Sequence, residues 1–338
     1  MKTRTVLLGS AAALYAATAA HAADAIIVEP EPVEFVRVCD AFGAGFFFIP
    51  GTETCLQIGG YVRYDINISE DGWEKDSRAQ LTVDARSDTE FGTLRGFIAI
   101  QGNVSGEGID DSPAINELTN DVIVDEAFIQ LGGLTVGTTY DFFDEYGIGG
   151  ENDDLGGARV NLIRYSYAAD GFNAGVSVID DNDDNTVGST WADFTPNFEA
   201  TAGFDIGPAG VQIIGVYDND TDEFAGKAVG SVAVTPGGTF AIAGVYASGP
   251  TYTWDVSEWS VAASYTQAFS ETISASLGAQ YFDDTNFDVI DSPDAWTVGA
   301  NIDWTPVPNF LVRGQVQYED DDVAGESVNG RIRFQRSF

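Results

Sequence analysis

Residues 140–157, YDFFDEYGIGGENDDLGG, gather six carboxylates, Asp141, Asp144, Glu145, Glu151, Asp153 and Asp154, with no lysine or arginine among them. Carboxylates grouped in this way can hold a hard cation, divide acid and base roles, or line a path for water and ions. The cation reading is weak. GGENDDLGG partly matches the calcium-binding nonapeptide GGxGxDxUx, but it occurs once, lacks the third glycine, and such repeats bind by stacking several copies. A second acidic run, DDNDDN at 180–185, has EF-hand spacing from Asp181, yet Thr186 stands where the loop needs glycine and Ala192 where it needs the bidentate glutamate. No resident metal and no cofactor are expected. A glycosidase pair would require one carboxyl in an apolar pocket, and the sequence shows no such pocket.

Nucleophilic chemistry is constrained more sharply. Residues 1–22 combine a basic start (Lys2, Arg4), the apolar stretch VLLGSAAALYAA and the small-residue site Ala20-His21-Ala22, the pattern of a cleavable secretory signal peptide. Cleavage removes His21, the only histidine, so Ser-His-Asp and Cys-His mechanisms are excluded and the chain is expected not to be an enzyme. The remaining chain carries 13 lysines and arginines against 53 aspartates and glutamates, about −40 in formal charge, which repels nucleic acid. Abundant aromatic and β-branched residues argue for a folded chain despite that acidity. Cys39 and Cys55, 16 residues apart in an exported chain, favour a disulfide over two free thiols.

The elements that position these groups read as strands. Period-two alternation recurs along the chain. Val62, Tyr64, Ile66 and Ile68 oppose Tyr61, Arg63, Asp65 and Asn67; Phe198, Ala200, Ala202, Phe204 and Ile206 oppose Asn197, Glu199, Thr201 and Asp205. Trp296, Val298, Ala300, Ile302 and Trp304 oppose Thr297, Asn301 and Asp303. Sixteen such runs begin near residues 59, 77, 91, 121, 133, 159, 171, 196, 209, 224, 238, 257, 271, 295, 309 and 327. Their length suits a tilted strand crossing a bilayer, and their number is even, as in closed bacterial barrels. Tight connections (132–133, 168–170, 207–210, 236–238, 306–308) alternate with long acidic ones. A soluble β-sandwich shares the alternation but sets no rule for loop lengths. The expectation is a 16-stranded antiparallel transmembrane β-barrel whose apolar face meets lipid and whose polar face lines a lumen.

The blocks VEFVRVCDAFGAGFFFIPGTETCLQIGGYVRYDI, AFIQLGGLTVGTTYDFF with NLIRYSY, and RIRFQRSF resemble Gram-negative general-diffusion porins, especially the alphaproteobacterial porins of Rhizobium and Brucella type. The resemblance spans essentially the whole exported chain. It implies an outer-membrane channel for passive diffusion of small hydrophilic solutes and ions, assembled as a homotrimer amid outer-membrane lipid and lipopolysaccharide. It also implies that the third long loop folds into the lumen, here residues 140–158, and that a terminal aromatic, here Phe338, is read by the barrel assembly machinery. Arg336 departs from the apolar residue that pattern prefers. The division expected is a signal peptide at 1–22, a periplasmic amino-terminal segment at 23–58 and a barrel at 59–338. A substrate-specific sugar or oligosaccharide channel is the nearest alternative; it would show an aromatic track in the lumen, whereas most aromatics here fall on the apolar face.

If the last strand closes onto the first, five adjacent strands present Arg63, Arg78, Arg86, Arg95, Arg313, Arg331 and Arg333 on their polar faces, seven of the eleven arginines that follow the signal. Arg164, matching the family's NxxRY-like segment, is an eighth candidate. Arginine stays charged and its planar fork engages several carboxylates. The loop acids are therefore expected to face an arginine wall across the lumen, with Phe142, Phe143 and Tyr146 fastening the loop.

Overall fold

In the structure, a computed structural model describing residues 37–106, 118–150, 154–180, 195–287 and 292–338, alternation resolves into a closed antiparallel ring. A two-residue strand β1 (Phe47–Phe48) precedes β2 (Cys55–Ser69), β3 (Gly72–Thr89), β4 (Gly92–Gly106), β5 (Leu118–Leu131), β6 (Leu134–Tyr140), β7 (Arg159–Ala169), β8 (Phe172–Asp180) and β9 (Asn197–Ile206). The second half comprises β10 (Ala209–Asp218), β11 (Glu223–Thr235), β12 (Gly238–Ala247), β13 (Trp259–Ala268), β14 (Ile273–Asp283), β15 (Ala295–Val307), β16 (Phe310–Asp321) and β17 (Gly325–Ser337). Each of β2–β17 pairs with its sequence neighbour, and β17 returns to β2 through partners from Gly330↔Ile68 to Ser337↔Tyr61. The sixteen strands start within five residues of the positions read from alternation. The last carboxyl residue completes the seam: Phe338 N–H donates to the Gly60 carbonyl at 3.0 Å, and Gly60 N–H to the Phe338 carbonyl at 3.2 Å.

Closure gives each of β2–β17 a hydrogen-bonded neighbour on both sides, the condition for crossing hydrocarbon with strands. The outer face is apolar and exposed: Val62, Ile98, Ile129, Ile213, Ile242, Leu277 and Ile302 all point outward. Around the end that bears the long loops runs an aromatic belt. Phe224–Tyr246, Trp259–Tyr281 and Trp296–Tyr318 are ring pairs with centroids 5.8, 5.3 and 5.1 Å apart, and Tyr246↔Trp259 and Tyr281↔Trp296 are direct cross-strand partners. Such girdles sit at membrane interfaces, where an aromatic body meets a wet boundary.

One end carries connections of two to four residues at 90–91, 132–133, 170–171, 207–208, 236–237, 269–272 and 308–309. The opposite end carries the long ones, but not without exception: 70–71, 219–222 and 322–324 are also tight. Two of these three adjoin β2 and β17, so tight turns stand beside the arginine-rich strands at this end. Arg336 turns outward near the short-turn end and donates to the Asn309 carbonyl at 3.3 Å. Its long stem thereby lies along the outer face while its charge reaches the rim, which explains how a cation stands in an apolar register.

At the same end, Cys39 and Cys55 are joined, and Cys39, Cys55 and Phe46 are buried together. β2 begins at Cys55, before the expected boundary at residue 59, because CLQI lacks the clean alternation that starts after Gly59-Gly60. The disulfide thus fastens the amino-terminal segment to the first barrel strand itself. Arg86 stacks over Phe46 at 5.0 Å, and Gln57 Nε2 donates to the Ala44 carbonyl at 3.1 Å. Removing a cross-link over a loop of about 15 residues costs about 3 kcal/mol. The double variant Cys39→Ser/Cys55→Ser is therefore expected to retain the barrel while its heat-modifiable gel transition falls to lower temperature; an unchanged transition would show that the clasp adds nothing.

Candidate functional site

The connection between β6 and β7 is organised by a single helical turn, Phe142–Glu145. Asp141 caps it, Oδ1 accepting from Asp144 N–H at 2.8 Å. Its Oδ2 accepts from Ala158 N–H at 3.1 Å and from Thr253 Oγ1 at 2.7 Å. Asp141 is 0% exposed. It is therefore no pore-facing acid: it closes the neck of the loop and ties it to the β12–β13 connection, where Gly157 N–H also donates to the Thr253 carbonyl at 2.9 Å. Gly157 has φ 128°, and a Cβ there would lie 2.5 Å from Asp144 Cα, so this closure requires glycine.

The aromatic residues of the segment pack against partners that the sequence does not reveal. Phe142 and Phe143 are buried, and Tyr146 packs beside them. The Phe142 ring occupies the space over Gly175, where an added Cβ would stand 2.3 Å from it. Ile148 and Leu155 extend the cluster onto Ile214, Val216, Ala225, Ala241, Ala243 and Ala262. Here the wet inner face expected from alternation is corrected. On β10–β13 many inner residues are small and apolar because the loop covers them. Lys227, only 2% exposed, stands among them: its Nζ donates to the Phe143 carbonyl and, at 3.2 Å, to the Leu155 carbonyl, and lies 4.7 Å from the Phe143 ring centroid. Ser264 Oγ donates to the Ile148 carbonyl at 2.9 Å, and Gln280 Nε2 to the Asp154 carbonyl.

Arg164 belongs to this clasp and not to the clustered wall. It is buried, stacks on Phe142 at 3.8 Å, and donates to the Tyr140 carbonyl at 3.0 Å. Glu145 at 3.5 Å and Glu199 at 3.8 Å share its charge, and Glu199 accepts the Phe143 N–H at 3.0 Å. The correction has a topological cause: β7 carries Arg164 under the loop that leaves β6, on the near side of the ring. The neck has a further brace. The β4–β5 register shifts at Ala99/Ile100, which sets Asp125 out of the ladder. Its carboxylate accepts from Gln80, Tyr140 and Arg159, each at 3.1 Å.

Of the six loop acids, Asp144, Glu145 and Asp154 are exposed, Asp141 is buried, and Glu151 and Asp153 lie outside the described residues. Burial, and then the Asp141 charge, raise the Asp144 carboxyl above its ordinary range. Burial raises Glu145 as well, with Arg164 pulling the other way.

The remaining seven arginines all lie on the inner faces of β2, β3, β4, β16 and β17, where they divide into two sets. Arg86 and Arg95 share Asp84 at 2.7 and 2.9 Å; Arg313 holds Asp303 at 2.5 Å; Arg333 holds Asp65 at 2.8 Å. Among the described residues Arg63, Arg78 and Arg331 form no salt bridge: their Nε atoms donate to Gln335 at 3.0 Å, Asn103 at 2.6 Å and Asn67 at 2.8 Å, and Arg63 also lies over the Tyr61 ring at 4.7 Å. β2 and β3 stand eight strands round the ring from β10 and β11, the strands whose inner face the loop covers.

The whole of this arrangement falls within one family match: residues 24–335 match the porin subfamily. The chain belongs to that family. The porin is 39% identical to outer membrane protein IIIA of Rhizobium leguminosarum bv. viciae, over 98% of this chain and 93% of the relative. It is 35% identical to porin Omp2b of Brucella abortus (strain 2308) over the whole of both chains. In fold it is similar to the outer-membrane channel DcaP of Acinetobacter baumannii, with a TM-score of 0.66 at 16% identity, covering 86% of this chain and 99% of that one. A mutant Rhodopseudomonas blastica porin superposes with a TM-score of 0.57 at 15% identity, over 84% of this chain and all of that one. The porin is thus a protein of the cell outer membrane, from a family of channels rather than enzymes.

Several residues that shape this porin were not singled out in the sequence: Lys227, Asp125, Arg159, Glu199 and Thr253. Lys227 left one trace. It is one of only two lysines beyond the signal region, set at an inner position of the otherwise small-residue strand EFAGKAVGSVAV.

Proposed function

We propose that the porin forms a water-filled channel for passive diffusion of small hydrophilic solutes and ions, narrowed by segment 140–158, and that it assembles as a homotrimer. In this reading Asp144, Glu145 and Asp154 face Arg63, Arg78 and Arg331 across the gap. The observation that carries it is the division of the arginines: among the described residues three hold no carboxylate, and they lie across the ring from a loop whose exposed groups include acids. Opposed rows of charge in a narrow aqueous gap order water and disfavour bulky apolar solutes, while hydrated polar ones pass. The surplus of acids sets a preference for cations. Family resemblance supports the trimer, which chemical cross-linking of the detergent-solubilised protein tests.

Planar-bilayer recording tests the channel. Steady ohmic steps with a cation-favouring reversal potential are expected in a KCl gradient; a folded, heat-modifiable barrel that conducts nothing refutes the reading. The paired variant Asp144→Asn/Glu145→Gln is expected to reduce cation preference. Acidification should do the same in the parent, beginning above the pH at which ordinary carboxylates titrate, since both groups are raised. Equal selectivity in variant and parent would place these acids away from the conducting path.

A further inference from the structure

A cavity of about 480 Å³ opens on the inner faces of β2, β3, β4 and β17, with Arg63, Arg78, Arg331, Arg333, Asp65 and Asp76 in its lining. Four guanidiniums against two carboxylates leave the lining positively charged within a strongly acidic protein. The two carboxylates are engaged: Asp65 accepts twice from Arg333 at 2.8 and 2.9 Å, and Asp76 accepts from Asn67 Nδ2 at 2.8 Å. Arg63, Arg78 and Arg331 each use only Nε on an amide oxygen, so their terminal nitrogens make no hydrogen bond to the protein among the described residues.

Arg63 and Arg78 are also direct cross-strand partners. Like charges set opposite each other on one face of a sheet are destabilising. The bond at each Nε fixes the guanidinium plane while leaving its forked donors open, the geometry that receives a carboxylate or phosphate with two parallel bonds. A neutral sugar would leave the charge repulsion in place; a cation would worsen it. A single monovalent anion would answer only part of it.

We infer that this cavity is a docking site for small oxyanions carrying two negative charges, such as dicarboxylates or hydrogen phosphate, in transit through the channel. This rests on the proposed channel reading and adds to it a binding step of defined chemistry. Arg63, Arg78 and Arg331 supply the open donors. Arg333, held by Asp65, contributes field rather than ligand bonds.

The test uses the intact porin in planar bilayers with symmetric KCl, to which succinate, hydrogen phosphate or acetate is added at matched ionic strength. Succinate, phosphate or both should block the current in a concentration-dependent way, with acetate inert; which of the two blocks names the carboxylate or the phosphate source. The variant Arg63→Gln/Arg78→Gln/Arg331→Gln should raise the half-blocking concentration at least tenfold. If that variant does not give a heat-modifiable barrel, Arg331→Gln alone should raise it about threefold, for loss of one of three open forks. Absence of KCl current in the parent overturns the channel reading itself. Normal KCl current with divalent anions no more effective than acetate, or with block indifferent to the substitutions, overturns the docking site and leaves the channel standing.

Discussion

Replacing Arg63, Arg78 and Arg331 together by glutamine is expected to drive the reversal potential in a KCl gradient further toward the potassium potential. The size follows from the charges. One unit charge about 7 Å from a passing ion is worth about 0.6 kcal/mol in bulk water, so three amount to about 2 kcal/mol before screening. At 0.1 M salt the screening length is about 10 Å, comparable to that distance, so a change of about three- to tenfold in the cation-to-anion permeability ratio survives. The comparison that makes this specific is Arg86→Gln/Arg95→Gln. Those two guanidiniums already share Asp84, so their removal exposes a carboxylate near the short-turn end and should move selectivity less. If the two variants shift the reversal potential equally, or only in proportion to the three and two charges removed, the separation of the arginines into paired and unpaired sets has no bearing on conduction.

That separation could not be read from the sequence, although the arginines themselves could. Strand alternation places Arg63, Arg78, Arg331 and Arg333 on one face, because the side-chain period of a strand is fixed by its geometry and needs no tertiary information. Which of them meets an acid depends on register between strands far apart in the chain. Arg333 finds Asp65 and Arg331 finds Asn67 only because β17 closes on β2 with Ile332 opposite Ile66. Closure itself was legible from strand count and loop asymmetry; the register at the seam was not.

The loop shows a similar limit. Its aromatics and glycines suggested an anchored, folded segment; Phe142 and Phe143 are buried, and Gly157 has a backbone angle and a close approach that call for glycine. Its acids, alike in sequence, have different fates. Asp141 becomes a buried cap through Thr253, more than a hundred residues away, while Asp144 and Glu145 stay exposed. The inner apolar face of β10–β13 misled for the same reason. A residue such as Ala243 or Val216 is stable facing the lumen only once something covers it, and alternation carries no record of the cover.

Lys227→Met is the substitution that should separate loop docking from barrel integrity most cleanly. Lys227 lies between strand wall and loop, with its ammonium on the carbonyls of Phe143 and Leu155, two points on opposite limbs of the same loop. Methionine has nearly the same reach and fills the space, so packing is largely kept. The two carbonyls, however, lose a charged donor in a site closed to water, at about 1–3 kcal/mol for each buried group left unsatisfied. The strand ladders from β10 to β12 make no use of the ammonium, so the barrel should assemble and keep its heat-modifiable gel shift. The loop should not keep its place. Loss of about 2–6 kcal/mol of docking free energy populates undocked states that were rare before, since every 1.4 kcal/mol is a tenfold change in population. Single-channel records should then show larger unit conductance with frequent transitions between levels, and protease cleavage within 140–158 should accelerate by at least tenfold. A variant as quiet and as resistant as the parent would mean that the apolar cluster around Phe143 holds the loop without the lysine.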